Sequence, residues 1–129
     1  MNGPLVRFTI PGRPANLGNA RMHWAERARV VKDQRAVAKI IGNAARARAG
    51  LGPAEGPRRL VLTLILAGQG RDSDNATASI KGFADGLEDC GLIKSDSPEW
   101  CQLEVRQRKT RFRDQQGVMV EVYEVGGDE

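Results

Sequence analysis

The chain reads as an α/β fold (in the looser sense that includes α+β) in the order β-α-β-α-β-β, and three observations carry that reading. Leu60-Val61-Leu62-Thr63-Leu64-Ile65-Leu66 is a nearly unbroken apolar run between turn signals, the pattern of a strand covered on both faces. Two stretches of helical character, 24–49 and 76–90, lie on either side of it. Residues 100–108 and 118–125 then alternate with period two, as strands do.

Each element has a local cause. Leu5-Val6-Arg7-Phe8-Thr9-Ile10 is rich in β-formers and predicts a first strand, which Pro11, Gly12 and Pro14 end. A polar loop follows to about Met22. Residues 24–49 carry many alanines and no proline, and at 100° per residue Val30, Val37, Ile41 and Ala44 share one face, read as the core face. Arg29, Lys32, Arg35, Lys39 and Arg46 gather on roughly the opposite face. Trp24, at the start of this helix, is read as a core residue. The segment 50–57, with Gly52, Pro53 and Gly56, breaks the chain before the apolar strand, and Gly68-Gln69-Gly70 ends that strand. In the second helix Ile80, Phe83, Ala84 and Leu87 form an apolar stripe, with Gly91 as its C-terminal stop. A polar turn at 114–117 joins the last two strands. The expected organisation is one domain over 1–125 and a short flexible tail at 126–129, without repeats.

Composition narrows the function classes. Apolar residues make up 40% of the 129 and charged residues 28%, ordinary values for a water-soluble domain. No apolar run reaches the ~18 residues of a membrane span. Met1-Asn2-Gly3-Pro4 lacks the basic-then-apolar pattern of a signal peptide, so the expected location is the cytoplasm. Cys90 and Cys101 are then expected as free thiols. With His23 as the one histidine, a zinc centre is not expected. Charge is uneven: residues 21–59 hold ten Arg or Lys against three acids, whereas 72–99 hold seven acids against Lys81 and Lys94. Basic residues return at 106–113. An acidic centre between basic flanks suits a protein that attracts phosphate while concentrating divalent cations.

The chemistry-bearing segment is Asp72-Ser73-Asp74-Asn75, just after the apolar strand. In an extended stretch, carboxylates at i and i+2 point the same way and can converge on one hard cation; the same residues also serve ordinary turns. An EF-hand loop fails, because its fifth and sixth positions are Ala76 and Thr77. Gly68-Gln69-Gly70 lacks the third glycine of a dinucleotide fingerprint and no Walker lysine follows, so no organic cofactor is expected.

Asp72-x-Asp74-Asn75, Lys81, Asp85-Gly86-Leu87, Gly91-Leu92-Ile93 and Asp96, taken in order, resemble the RusA-type Holliday-junction resolvases. Arg21-Met22-His23-Trp24-Ala25-x-Arg27 is similar to a stretch before the long helix in many phage-borne members. The resemblance implies a RusA-like mixed sheet with two main helices, a homodimer, and a Mg²⁺-dependent endonuclease (Mn²⁺ substituting) that resolves four-way DNA junctions by paired nicks in recombination and repair. That setting is a bacterial or phage-infected cell. It implies Asp72, Asp74 and Asp96 as metal ligands and Lys81 as a catalytic helper, with Asp85 positioning Lys81 or a ligand. Lys81 otherwise pairs with Asp85 at i+4 on the surface. Asn75 is read as a helix cap. Arg21, His23, Arg27, Arg29, Lys32, Arg35 and Lys39 are the candidate DNA contacts, together with the stretch 106–113. Two departures stand out: five residues separate Asn75 from Lys81 where the best-known branch has two, and Ser95-Asp96 replaces a frequent pair of aspartates. The alternatives are a branched-DNA-binding protein of the same fold without turnover, and a nuclease acting on other DNA structures.

Overall fold

The computed structural model describes residues 3–18 and 22–125. Strand β1 (Val6–Pro11) leads to helix α1 (Trp24–Arg48), strand β2 (Arg58–Ala67), helices α2 (Ser73–Ser79) and α3 (Lys81–Asp89), then strands β3 (Cys101–Thr110) and β4 (Gly117–Glu124). A single 3₁₀ turn, Arg113–Gln115, bridges β3 to β4. The second helix expected over 76–90 is therefore two helices. They meet at Ile80 (φ −106°, ψ 0°), whose N–H turns back to the Thr77 carbonyl instead of continuing the α ladder.

The strands form one mixed sheet in the order β1-β4-β2-β3. β4 runs antiparallel to both β1 and β2, whereas β2 and β3 are parallel, joined by the crossover through α2 and α3. Pro11, Gly117, Ile65 and Arg108 lie in one row across the sheet. The loops after β1 and β2 and the β3–β4 connection consequently leave from one edge. The other edge holds the starts of β2 and β3, where Arg58 faces Cys101.

Period two divides the strands between two faces. Val6, Ile10, Leu60, Leu62, Leu64, Leu66, Val118, Val120 and Val122 join the helices in one apolar cluster. Val61, Thr63 and Ile65 are also buried, so the expectation for 60–66 holds on both faces. The face away from the helices carries a polar ladder across all four strands. Arg7 donates to Glu121 (2.9 Å), Tyr123 donates to the same carboxylate (2.9 Å), Arg59 lies over the Tyr123 ring and donates to Glu104 (2.9 Å), and Arg106 pairs with Glu104.

The buried face of α1 differs from the one the apolar periodicity marks. Gln34, Ala38, Gly42 and Ala45 are buried, while Val37 is 40% exposed, Ala44 is exposed, and Val30 and Ile41 are half-buried. The reason is close helix approach. A Cβ on Gly86 would sit 2.4 Å from the Arg35 carbonyl oxygen, and one on Gly82 would sit 2.6 Å from that of Val31. A seam this tight selects small side chains over large apolar ones. The α3 stripe of Ile80, Phe83, Ala84 and Leu87 is buried as expected. Gly91 (φ +84°) ends α3: its N–H reaches the Glu88 carbonyl and that of Leu92 reaches Leu87, a Schellman stop. Cys90 and Cys101 are free and buried, and burial raises both thiol pKa values. Among the described residues no helix is long and apolar enough to cross a membrane.

Candidate functional site

The Asp72–Asn75 segment sits at the edge where the parallel strands end. Asp72 is the N-cap of α2, with one carboxylate oxygen accepting the Asn75 N–H (2.9 Å) and the other accepting from the Asn75 side-chain amide (3.3 Å). Anion caps of this kind satisfy orphan helix donors and complement the helix dipole. Asp72 is thus the cap and Asn75 the residue it caps, reversing the expectation for Asn75. Asp74 lies inside the first turn of α2, so the pair is not extended. Residues two apart on a helix point in different directions, which removes the same-side argument for Asp72 and Asp74. Both are exposed.

Beneath this turn runs a partly buried polar network that the motif alone does not reveal. Arg71 donates to the carbonyl oxygens of Pro14 and Ala15 and to Ser79 Oγ (3.0 Å). Ser79 is fully buried; its hydroxyl donates to the Asn75 carbonyl (2.6 Å), and its own carbonyl accepts from Gln34 Nε2 (3.2 Å). Burial, and then Arg13, lowers the Arg71 pKa. The Arg71 backbone is gripped on both sides by Gln107 of β3, which accepts from its N–H (2.7 Å) and donates to its carbonyl (2.5 Å). The loop after β1 lies directly over Asn75, where a Cβ on Gly18 would fall 1.8 Å from Asn75 Oδ1. Arg13 and Gln116 complete the edge: Arg13 donates to the Ala67 carbonyl and to Gln116 Oε1, which also accepts the Ala67 N–H. Four segments are pinned around the aspartate turn.

The remaining expected site residues are not gathered there. Asp96 is at the opposite edge, where its N–H donates to Glu88 Oε1 (2.9 Å). It lies near Cys101, whose thiol burial and then Asp96 push up to about 11. Arg71 is bonded to Gln107, six positions along β3 from Cys101. At ~3.3 Å per residue, Gln107 and Cys101 are roughly 20 Å apart along β3, so Asp72 and Asp96 lie toward opposite ends of the strand. Among the described residues no group of three or more His, Cys, Asp or Glu side chains is placed to hold a metal ion. One chain therefore does not assemble the three-aspartate cluster. Lys81 is exposed in the first turn of α3, and the described contacts include no ion pair between it and Asp85. Asp85 is half-buried and raises the pKa of Arg35 as a lesser cause behind Asp89.

The candidate DNA contacts divide similarly. Arg21 lies outside the described residues. His23 caps α1, its Nδ1 accepting from the Ala25 N–H (3.2 Å). Trp24, expected in the core, is 77% exposed, because the first residue of α1 projects beyond the seam with α3. Arg29, Lys32 and Lys39 are exposed and Arg27 is half-buried. Arg35 is committed to a two-pronged ion pair with Asp89 (2.5 and 2.8 Å), and Arg46 to the carbonyls of Cys90 and Leu51.

Residues that motif reading missed include Arg71, Ser79, Gln34 and Gln107 around the turn, and Phe112 in the β3–β4 connection. The isolated arginine abutting an acidic motif was the available signal for Arg71. Searches of protein-family models, curated proteins and solved structures find nothing that matches this chain.

Proposed function

We propose that this protein is a Mg²⁺-dependent endonuclease that resolves four-way DNA junctions as a homodimer. The supporting observation is the sheet edge itself: exposed Asp72 and Asp74 share it with Lys109 at the end of β3 and with Arg111 and Arg113 of the β3–β4 connection. Carboxylates within a cationic rim match a substrate that is polyanionic and is cut with metal assistance. The ordered motif set resembling RusA-type resolvases supplies the reaction type. Asp96 enters this reading only through a second copy, in a two-fold pair arranged so that Asp96 of one protomer meets the Asp72 edge of the other. Such a dimer also matches the near two-fold symmetry of a four-way junction. Bound Mg²⁺ would supply an activated water and offset charge on the cleaved phosphate. This chain's residues hold the turn rigid and draw in the backbone of the DNA.

A second reading, a branched-DNA-binding protein without turnover, is favoured by one observation: Asp72 already uses both oxygens within its own helix cap. One experiment separates them. A synthetic four-way junction and a linear duplex are incubated with the protein, with and without Mg²⁺. Nicked-duplex products from the junction alone, lost in Asp72→Asn with binding kept, support the nuclease. Binding without products at any Mg²⁺ concentration selects the second reading, and equal cutting of both substrates selects a nuclease of other DNA structures.

A further inference from the structure

The β3–β4 connection presents an aromatic ring to solvent between arginines. Phe112 is 57% exposed and stands between Arg111 and Arg113, with Lys109 and Arg108 just before them. Among the described residues, none of Arg108, Lys109, Arg111 and Arg113 takes part in an ion pair. The tip is nevertheless ordered. The Phe112 N–H donates to Thr110 Oγ1 (3.3 Å), its carbonyl accepts from Gln115 (3.0 Å), and the Arg113 carbonyl accepts from the Gln116 N–H and side-chain amide. Gln116 in turn joins Arg13 and Ala67, so the tip is anchored to the edge that carries Asp72. Beside it a groove of about 500 Å³ is lined by Arg108, Lys109, Thr110, Asp114 and Gln115, among others.

The turn fixes the Phe112 backbone, and the ring it carries lies exposed between two guanidinium-bearing side chains. Flanking guanidinium groups exclude an apolar protein surface as its natural cover, but they suit a phosphate backbone. Aromatic rings stack on bases only where bases are unstacked, because duplex interiors are closed to them. We infer that Phe112 is a stacking platform for an unpaired or splayed base, with Arg111 and Arg113 holding the adjoining phosphates. This rests on the DNA-directed reading above and adds to it a source of selectivity: the tip distinguishes a branch point from continuous duplex.

The test compares wild type, Phe112→Ala, Phe112→Trp and Arg111→Ala for binding, without Mg²⁺, to three probes. These are a synthetic four-way junction, a single strand, and a linear duplex of equal length. The inference expects Phe112→Ala to weaken junction and single-strand binding about ten-fold while leaving duplex binding unchanged, with Phe112→Trp retaining wild-type affinity. Arg111→Ala should weaken all three alike and reduce the salt slope by about one. Unchanged junction affinity in Phe112→Ala, or an equal loss on duplex and junction, overturns the stacking role and leaves the nuclease reading standing. If wild type binds none of the probes, both fall together.

Discussion

The two ends of the parallel β2–β3 pair each carry an aspartate from the same sequence motif, yet their surroundings differ. At the Asp72 end, a partly buried arginine network ties four segments together beneath exposed carboxylates, and among the described residues the cations of the β3–β4 tip stand free of ion pairs. At the Asp96 end several cations are already engaged by a carboxylate, a backbone carbonyl or a ring, while Asp96 itself is exposed. Arg35 closes on Asp89, Arg46 on the Cys90 carbonyl, Arg58 on the Leu92 carbonyl (2.9 Å), and Lys94 lies 4.1 Å from the centre of the Trp100 ring. The contrast lies in the cations: those of the β3–β4 tip are open, and these four are engaged. Order along the chain does not reveal which end a residue reaches, because the crossover through α2 and α3 carries Asp96 away from Asp72.

The largest expected effect tests whether the two ends cooperate across protomers. Asp72→Asn and Asp96→Asn should each reduce junction cleavage at least ~100-fold if each contributes a metal ligand. Mixing the two inactive proteins should restore nicking, because one site per mixed dimer regains both carboxylates. A mixture as inactive as its components would show that Asp96 and Asp72 do not share a site.

Gly86→Ala probes the seam that spans both ends. A methyl group 2.4 Å from the Arg35 carbonyl oxygen forces α1 and α3 apart. Overpacking of this kind costs about 2–3 kcal/mol, read as a lowered urea midpoint. An unchanged midpoint would mean that the seam is slack.

Next in size, Ser79→Ala should act at the Asp72 end alone. It leaves the Asn75 carbonyl and one Arg71 donor without their buried partner, a loss of about 1–3 kcal/mol. Amide exchange should quicken in residues 72–80 more than around Cys101; uniform quickening would refute a local role.

The smallest effect belongs to the Asp96 end. The hydrogen bond from Arg35 holds the Asp89 carboxyl below its ordinary value, so its contribution is complete above the unfolded carboxyl pKa of about 3.9 and fades as pH falls through the folded value. Asp89→Asn should lower the melting temperature slightly at neutral pH and not at all near pH 2, which thermal scans across that window would check.

Much of the fold was legible in the residues. The unbroken run 60–66 marked a strand buried on both faces, the alternation at 118–125 marked its neighbour, and Gly91 marked a helix end. What escaped was decided by tertiary contact. Val37 and Trp24 carry the hydrophobicity of core residues, but Trp24 precedes the α1–α3 seam and the seam itself takes Ala38, Gly42, Ala45 and the hydrogen-bonded Gln34. The break at Ile80 was hidden because the apolar stripe continues across it. At the site, Asp72 and Asp74 stood out as a motif, whereas their conformation depended on Asp72 capping α2, which spacing cannot distinguish from an extended turn. Arg71 and Ser79 act through loops distant in sequence, and nothing local announces such partners.

The ladder on the outer sheet face carries a practical consequence. Arg7–Glu121 and the Arg59–Glu104–Arg106 group lie partly in solvent, where added electrolyte weakens them. Raising ionic strength to measure how strongly the protein holds a polyanion therefore also loosens Glu104 and Glu121, the cross-strand neighbours of Val61. A steep salt titration would then mix counterion release with partial uncovering of an apolar surface. Matched titrations monitored for self-association would tell the two apart.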